Sequence, residues 1–260
     1  MTGIARLIAI ANQKGGVGKT TTSVNLATAM AACGRRVLLV DFDPQGNAST
    51  GFGIDLKARD TNSYRLLTGE ASAVDACHKT DIARLDVLPS VVDLSAAEIE
   101  LAEIQAREFR LKNALKSVMS DYDYIFIDCP PSLGLLTVNA LCAADCVIVP
   151  LQCEFYALEG LSQLMWTIEM VQQSLNRSLV VQGIVLTMYD NRNRLSEMVA
   201  KDVRAHFGNL VYTTVIPRNV RLSEAPSFGQ PVLIYDLKCA GAQAYVALAA
   251  ELLSQEKEAA

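Results

Sequence analysis

Residues 7–25 read LIAIANQKGGVGKTTTSVN, and this stretch decides the fold. Its first five residues are an apolar run typical of a buried strand, and a glycine-rich turn follows them. The turn leads into a segment with helical spacing that begins near Lys19 and Thr20. Glycines let successive backbone N–H groups converge on one point, and a helix N-terminus adds its positive dipole end there. The stretch therefore predicts a strand, a phosphate-binding loop and a helix, in that order.

The Gly-Lys-Thr sequence assigns chemistry to individual positions of this loop. Lys19 supplies a mobile positive charge for the β- and γ-phosphates of a nucleotide, and the Thr20 hydroxyl is placed to ligate Mg²⁺. The alternative is a structural bend without a ligand, but lysine and threonine between a strand and a helix argue against it. We expect the nucleotide to be held by Lys14, Gly15, Gly16, Val17, Gly18, Lys19, Thr20 and Thr21.

Lys14 is a second lysine that a simple phosphate loop does not need. The usual pattern G-x-x-x-x-G-K-T has glycine where this chain has Gln13, and Lys14 comes directly after it. A second cation beside Lys19 would be repelled in a pocket built for one nucleotide. Either Lys14 points to solvent, or it reaches phosphates bound in another subunit.

Strands and helices alternate along the chain. Residues 36–41 and 124–128 are apolar runs of the kind buried on both faces of a parallel sheet. A long helix is expected over 96–119, because its first half is acidic and its second half basic. This alternation predicts an α/β fold like that of P-loop NTPases, with a mostly parallel central sheet flanked by helices on both faces. Further strands are expected at 85–89, 146–150, 179–186 and 210–216.

Three carboxylates end strands near the phosphate loop. Asp41 and Asp43 follow the second strand, and Asp128 closes the third. Ligands of open α/β sheets bind at the carboxyl ends of the strands. We expect Asp128 to hold Mg²⁺ through its water shell, and Asp41 to hold that shell or to fix Thr20. Asp43, just outside its strand, is the candidate for positioning the attacking water.

Composition narrows the class of protein. The 260 residues are 51% apolar and no glycine- or serine-rich linker divides them, so we expect a single domain over 1–260. Seven cysteines show no secretory pairing pattern, no signal peptide precedes the first strand, and no apolar run has the length of a membrane span. A cytoplasmic protein with reduced thiols is therefore expected.

The charge of the chain is unevenly distributed. A net charge of −5 argues against a wholly basic nucleic-acid coat. Residues 190–221, however, contain six basic and three acidic side chains. This local excess fits either a phosphate-contacting patch or an ordinary solvated face.

Three motifs resemble one known family. Residues 13–21, QKGGVGKTT, resemble the deviant Walker A box of the ParA/MinD ATPases. Residues 40–50, VDFDPQGNAST, and 215–226, VIPRNVRLSEAP, resemble the ParA/Soj chromosome-partitioning proteins in particular. The resemblance implies ATP and Mg²⁺ as cofactors and an ATP-dependent sandwich homodimer that binds non-specific DNA on the nucleoid. It also implies slow ATP hydrolysis that a ParB-like centromere-binding protein stimulates, so that a chromosome or a plasmid is segregated.

The family motifs imply roles for individual residues. Lys14 matches the signature lysine that contacts the partner subunit's phosphates, and Asp43 matches the aspartate that sets up hydrolysis. Asp128 matches the Walker B residue, and Pro217 and Asn219 match the stretch beside the nucleotide base. Together, the residue patterns and the resemblance predict Lys14, Lys19 and Asp43 as catalytic residues and Thr20, Asp41 and Asp128 as metal-binding residues, with Asp41 predicted from its position alone.

Arg192 and Arg221 match the arginines tied to DNA binding in this family, which favours the phosphate-contacting interpretation of residues 190–221. A MinD-like regulator on a membrane or protein surface is the main alternative, but its basic amphipathic C-terminal helix is missing from LLSQEKEAA. An electron carrier like the nitrogenase iron protein would need cluster-binding cysteines. Cys142 and Cys146 are one helical turn apart, but Cys146 begins a predicted buried strand.

Overall fold

The computed structural model describes residues 4–259 and is built around a seven-stranded sheet. The strands lie in the order β3-β4-β2-β5-β1-β6-β7. All neighbouring pairs are parallel except β3 with β4, which is antiparallel. The expected α/β architecture is confirmed. The strands are β1 Arg6–Ile10, β2 Val37–Asp41, β3 His78–Lys79, β4 Leu85–Leu88, β5 Tyr124–Asp128, β6 Cys146–Gln152 and β7 Val180–Thr187.

Helices cover both faces of this sheet. Short 3₁₀ turns at Leu56–Ala58, Val92–Ser95, Arg107–Phe109, Gly208–Leu210 and Ala225–Phe228 interrupt the connections between them. The helices are α1 Lys19–Ala32, α2 Asn47–Gly51, α3 Ser63–Thr68, α4 Ala73–Ala76, α5 Ala97–Glu100, α6 Arg110–Leu115, α7 Leu135–Ala143, α8 Ala157–Ser174, α9 Arg194–Phe207, α10 Val220–Glu224, α11 Val232–Tyr235 and α12 Ala240–Ala259.

Alternation along β1 divides the interior into two apolar cores. Leu7 and Ala9 pack with residues of α3 to α9 on one face of the sheet. Ile8 and Ile10 pack with residues of α1, α10, α11 and α12 on the other. Because both faces of the central strands are covered, their sequences are continuously apolar.

The expected helix over 96–119 is wrong. Only the short helices α5 and α6 and the 3₁₀ turn at Arg107–Phe109 form there, and Ala106 has a left-handed φ of 55°. Polar groups that a long helix would have left in solvent form hydrogen bonds with α7 instead. Glu98 accepts a hydrogen bond from the backbone of Leu136, and the Asn139 amide donates to the carbonyl of Arg107 at 3.0 Å. The charge gradient therefore did not encode a helix.

The expected strand over 210–216 is also wrong. The segment lies beside β7 and forms backbone hydrogen bonds from Tyr212 to Ile184 and from Ile216 to Leu186. Between them, the N–H groups of Thr213 and Thr214 donate to the Glu251 carboxylate of α12, at 2.6 and 2.9 Å. The Glu251 carboxylate thus accepts the hydrogen bonds that the backbone of a neighbouring strand would accept. Separately, none of the helices within residues 4–259 combines the length and apolarity needed to cross a bilayer.

Candidate nucleotide site and basic surface

The phosphate loop joins β1 to α1 and is held from a distant strand. Gly16 and Gly18 have φ values of 75° and 86°, a left-handed conformation that strains any residue with a side chain. Between them Val17 is buried, and its carbonyl accepts a hydrogen bond from the Thr187 hydroxyl at 2.8 Å. Thr187 is the last residue of β7. The loop is therefore fixed on both sides, with its backbone curled around one point.

Lys19 lies inside this loop. The residue is 6% exposed, and its Nζ donates to the Lys14 carbonyl at 3.0 Å. Burial lowers the pKa of Lys19, while the nearby carboxylates of Asp128 and Asp43 oppose that shift. The ammonium group thus lies inside the loop, where it could donate to a phosphate oxygen instead of the Lys14 carbonyl.

Lys14 lies at the open edge of the loop and, within one chain, is paired with a carboxylate rather than pointing freely to solvent. Its Nζ is 2.6 Å from Oε2 of Glu154, and its side chain is 40% exposed. Its backbone N–H donates to the side chain of Asn12, whose amide donates to the carbonyl of Pro150. Within one chain Lys14 is therefore ion-paired, and its contact with another subunit stays a prediction.

Asp41 and Asp128 face each other at the ends of adjacent strands. The two residues are opposite in the register of β2 and β5, and both are fully buried. Burial, followed by the charge of Asp41, raises the pKa of Asp128 to about 7, and the hydrogen bond from Ser23 opposes the rise. Burial raises the pKa of Asp41 to about 6. The carboxyl ends of the strands thus concentrate buried negative charge beside Thr20.

The two oxygens of Asp128 differ. Ser23 donates to Oδ1 at 2.7 Å, whereas Oδ2 is buried with no hydrogen-bond partner among residues 4–259. A buried carboxylate oxygen without a protein partner fits the expected metal role, because water bound to Mg²⁺ would donate to it. Asp41 differs, since its Oδ2 already accepts from the backbone and hydroxyl of Ser49 at 2.7 and 2.6 Å. Its metal role stays a prediction, and its visible contact fixes α2.

Asp43 begins a tight turn that leads into α2. The residue is buried, and its carboxylate accepts from the backbone of Gln45 at 2.9 Å. Its carbonyl accepts from Gly46, which has a left-handed φ of 62°. The buried Arg59 guanidinium holds the turn from outside, by donating to the carbonyls of Gly46 and Ser90. Sequence reasoning missed Arg59, because no motif or spacing marks it.

A cavity of about 220 Å³ opens beside the phosphate loop. It brings together Gly18, Thr21, Pro217 and Asn219, four residues expected to bind the nucleotide. Sequence reasoning missed several further lining residues. The position of Thr187 and Met188 at the carboxyl end of β7 was an available signal for two of them, and Leu222 lies inside the 215–226 motif, whereas nothing marked Tyr245. The missed residues include Thr187, Met188, Leu222 and Tyr245.

A backbone contact joins the segment after α2 to the segment after α10. Gly53 and Gly229 both have left-handed φ values, of 72° and 63°. A Cβ atom on Gly229 would lie 2.7 Å from Cα of Gly53, closer than carbon atoms can approach. We call this contact the glycine contact. It places the chain that follows Asp43 directly against the chain that follows Arg221.

The arginines expected to bind DNA are exposed but ion-paired within their own chain. Arg192 is 86% exposed, and its guanidinium donates to both oxygens of Asp190 at 3.0 Å. These bonds lower the pKa of Asp190 to about 2. Arg221, 50% exposed, contacts Glu224 at 2.8 Å and Asp236 at 3.4 Å. Both side chains are accessible, and their role in DNA binding stays a prediction.

The cysteines that suggested an iron–sulfur cluster lie in the core. Cys142 of α7 and Cys146 of β6 are fully buried. Burial raises the pKa of Cys142 to about 11 and that of Cys146 to about 12. Cys142 packs in one apolar core and Cys146 in the other, which favours a packing role for both side chains.

Comparison with known proteins agrees with this geometry. A family model described as an AAA domain matches residues 5–181. The chain is 64% identical over 255 residues to the chromosome partitioning protein ParA of Caulobacter vibrioides, covering 97% of this chain and 96% of the relative. It is 54% identical over 249 residues to the sporulation initiation inhibitor protein Soj of Bacillus subtilis, covering 96% and 98%.

A crystal structure of a related protein has the same fold as this chain. Cobyrinic acid a,c-diamide synthase from Mycobacterium smegmatis, with bound ADP and magnesium, is 40% identical and superposes with a TM-score of 0.87, covering 99% of this chain and 97% of that one. Identity is higher with the partitioning proteins, and the relatives span nearly the whole chain. The chain belongs to the ParA/Soj family of chromosome-partitioning ATPases.

Proposed function

We propose that this ATPase works as a DNA-partitioning switch, in which Mg-ATP assembles two chains into a sandwich dimer that binds non-specific DNA. The position of Lys14 carries the proposal. The phosphate loop already has a buried lysine, Lys19, whereas the ammonium group of Lys14 lies at the open edge in an ion pair that water can reach. In this proposal residues 1–260 act as a single domain.

ATP and Mg²⁺ fit the residues present. Curled backbone N–H groups and Lys19 suit the phosphates, and the cavity lined by Pro217 and Asn219 suits the base. Thr20 and the free oxygen of Asp128 would hold Mg²⁺ and its water, with Asp41 close by. The metal would neutralise charge on the phosphates when bound.

Dimerisation in this proposal depends on an exchange of partners by Lys14. Without ATP, Lys14 pairs with Glu154. With ATP, each Lys14 leaves that carboxylate for the phosphates of the other subunit, which offer more charge and more acceptor oxygens. The exchange makes assembly conditional on the nucleotide.

We call the exposed face that carries Arg192 and Arg221 the basic surface. DNA binding would follow from pairing two basic surfaces, one on each subunit. Contacts between arginine and phosphate are independent of base sequence and sensitive to salt, so the dimer would associate with the nucleoid. A ParB-like partner would then stimulate hydrolysis by ordering the turn that begins at Asp43, and the DNA would be released. Intrinsic hydrolysis is slow in this scheme.

The test measures binding of a fluorescent non-specific duplex with Mg-ATP, Mg-ADP or no nucleotide, at low and moderate salt. We expect tight, salt-sensitive binding with ATP alone. Arg221→Glu should abolish it, whereas Arg65→Glu, which reverses the charge of an exposed arginine on α3, should not. Sedimentation of the same samples reports dimerisation. ATP-dependent dimers without DNA binding would overturn the DNA output and favour a protein or membrane surface as the target.

A further inference from the structure

A buried arginine lies behind the turn that begins at Asp43. Arg59 follows the 3₁₀ turn at Leu56–Ala58, and the residue is 4% exposed. Its guanidinium forms five hydrogen bonds within the described part of the chain, and all five go to neutral oxygen atoms. Buried arginines are usually paired with a carboxylate. The place of Arg59 is therefore explained by the groups that its donors hold together.

These hydrogen bonds surround the short helix α2. Nη1 of Arg59 donates to the Gly46 carbonyl at 3.3 Å, just before the helix, and Nη2 donates to the Thr50 hydroxyl at 3.0 Å, near its end. Nε and Nη2 both donate to the Ile54 carbonyl, at 3.1 and 2.7 Å. A guanidinium can bind three points at once because its donors are numerous and rigidly oriented. Arg59 thus fixes residues 46–54 as one unit.

Arg59 also joins this unit to the sheet. Its Nη1 donates to the carbonyl of Ser90, two residues after β4, at 3.0 Å. The backbone N–H of Ser90 donates to the Ser49 hydroxyl at 3.0 Å, and that hydroxyl donates to the buried Asp41 carboxylate at 2.6 Å. The helix is therefore attached at two points to the carboxyl ends of β2 and β4, which are neighbours in the sheet.

The contact with Gly46 connects Arg59 to Asp43. The N–H of Gly46 donates to the Asp43 carbonyl at 2.9 Å and closes the turn. The guanidinium donates to the carbonyl of the same glycine, and a Cβ atom on Gly46 would collide with Nη1. Arg59 therefore packs directly on the turn, and any displacement of its side chain would move the residue that holds the backbone of Asp43.

We propose that Arg59 is a positioning residue for ATP hydrolysis, which holds the Asp43 carboxylate in place by fixing residues 46–54 to the sheet. The proposal rests on the role in hydrolysis proposed above for the turn of Asp43. Arg59 lies outside the lining of the cavity beside the phosphate loop, so its loss should affect the rate far more than ATP binding. A catalytic group displaced by about 1 Å can lose about 10²-fold in rate.

The experiment measures single-turnover hydrolysis of ATP and the affinity for ATP, with the full chain and Mg²⁺. Arg59→Gln should lower the hydrolysis rate about 10- to 100-fold and change the affinity less than twofold. The matched control is Arg110→Gln on α6, because the Arg110 guanidinium also donates to backbone carbonyls, those of Leu67 and Thr68. This control should change both quantities less than twofold.

A double-mutant cycle tests whether Arg59 acts through Asp43. In protein that already carries Asp43→Ala, Arg59→Gln should lower the remaining rate less than twofold, because no carboxylate is left to position. Arg59→Lys keeps the cation but has fewer donors, and it should show the same separation of rate from affinity with a smaller loss of rate. It provides the test if Arg59→Gln does not fold.

Three results would overturn the proposal alone. They are wild-type hydrolysis rates in both Arg59 variants, a loss of ATP affinity as large as the loss of rate, and an equal effect of Arg59→Gln with and without the Asp43 carboxylate. Wild-type hydrolysis by Asp43→Ala would instead overturn the proposed role of Asp43 and this inference with it, so the two failures are distinguishable.

Discussion

The nucleotide site and the basic surface treat charge in opposite ways. At the nucleotide site Lys19, Asp41 and Asp128 are buried and held by hydroxyls and backbone groups. On the basic surface Arg192 and Arg221 are exposed, and each is paired with a carboxylate of its own chain. The charged side chains of the nucleotide site are already held in place without a ligand. The arginines of the basic surface must break their ion pairs before they can bind a ligand.

Because of this difference, we expect the two regions to respond differently to salt and to substitution. Buried charges are screened little by salt and respond strongly when one member is removed. Exposed ion pairs contribute little, and salt weakens them further. Substitutions at the nucleotide site should therefore change rates and stability by large factors, and removal of one ion pair on the basic surface should change DNA affinity by a smaller factor.

Asp43→Ala should have the largest effect. If Asp43 positions the attacking water, kcat for ATP should fall about 10²- to 10⁴-fold while ATP binding and dimerisation persist, so the DNA-bound state accumulates. Steady-state phosphate release and sedimentation with Mg-ATP measure the two properties. A variant that hydrolyses ATP at the wild-type rate would show that Asp43 only shapes its turn.

Lys19→Ala should have the second-largest effect. Loss of the buried ammonium group removes charge stabilisation of the phosphates, and we expect kcat to fall about 10²- to 10³-fold. Lys57→Ala is the control, because Lys57 is an exposed lysine that follows α2 in the chain. Equal activities of the two variants would contradict the placement of Lys19 at the phosphates.

Asp128→Asn should stabilise the nucleotide-free, Mg²⁺-free protein. The pKa of Asp128 is raised from 3.8 to about 7, so the folded state resists ionisation and loses stability as pH rises through that interval. The advantage of the variant should be absent below pH ~4 and reach about 1–3 kcal/mol at pH 8. Urea unfolding across this pH range measures it.

Asp123→Asn is the control of opposite sign for that experiment. Its hydrogen bonds with Arg36 lower the pKa of Asp123, so its carboxylate contributes stability that is present at neutral pH and lost on acidification. Asp123→Asn should therefore destabilise the protein at pH 8. A shared sign for the two variants would contradict the contrast between buried and paired carboxylates.

Asp190→Asn should have the smallest effect, on the basic surface. Releasing Arg192 from its ion pair should tighten DNA binding about two- to fivefold and steepen the salt slope by about one. Asp202→Asn removes the same charge from α9, where no ion-pair partner for Asp202 occurs within residues 4–259. Tightening by both variants alike would mean that only net charge matters.

The sequence predicted the strands and the helix around the phosphate loop well, because local patterns determine them. Apolar runs placed β1, β2 and β5 within one residue, and the residues after them were expected to be functional. Phosphate chemistry needs glycines and lysine at fixed spacing, so the loop could be identified without knowledge of the fold. Pro217 and Asn219 needed the family resemblance, because nothing in their spacing leads to a nucleotide base.

Contacts between distant parts of the chain were not predictable in this way. Glu154 lies 140 residues from Lys14, and Thr187 lies 170 residues from Val17. The wrong strand over 210–216 has the same origin, since Glu251 of α12 takes the hydrogen bonds that a neighbouring strand would have taken. Which carboxylate neutralises Arg192 or Arg221 also depends on the folded surface.

The glycine contact has a consequence for how the two regions communicate. Gly53 follows the turn of Asp43 and Gly229 follows the helix of Arg221, and their backbones touch with no side chain to yield between them. Neither segment can shift toward the other without displacing it. If DNA alters the position of the hydrolytic turn through this contact, then the state of the turn must alter DNA affinity by the same factor, because coupling free energies are reciprocal. One pair of glycines would then couple the position of the turn to the affinity for DNA.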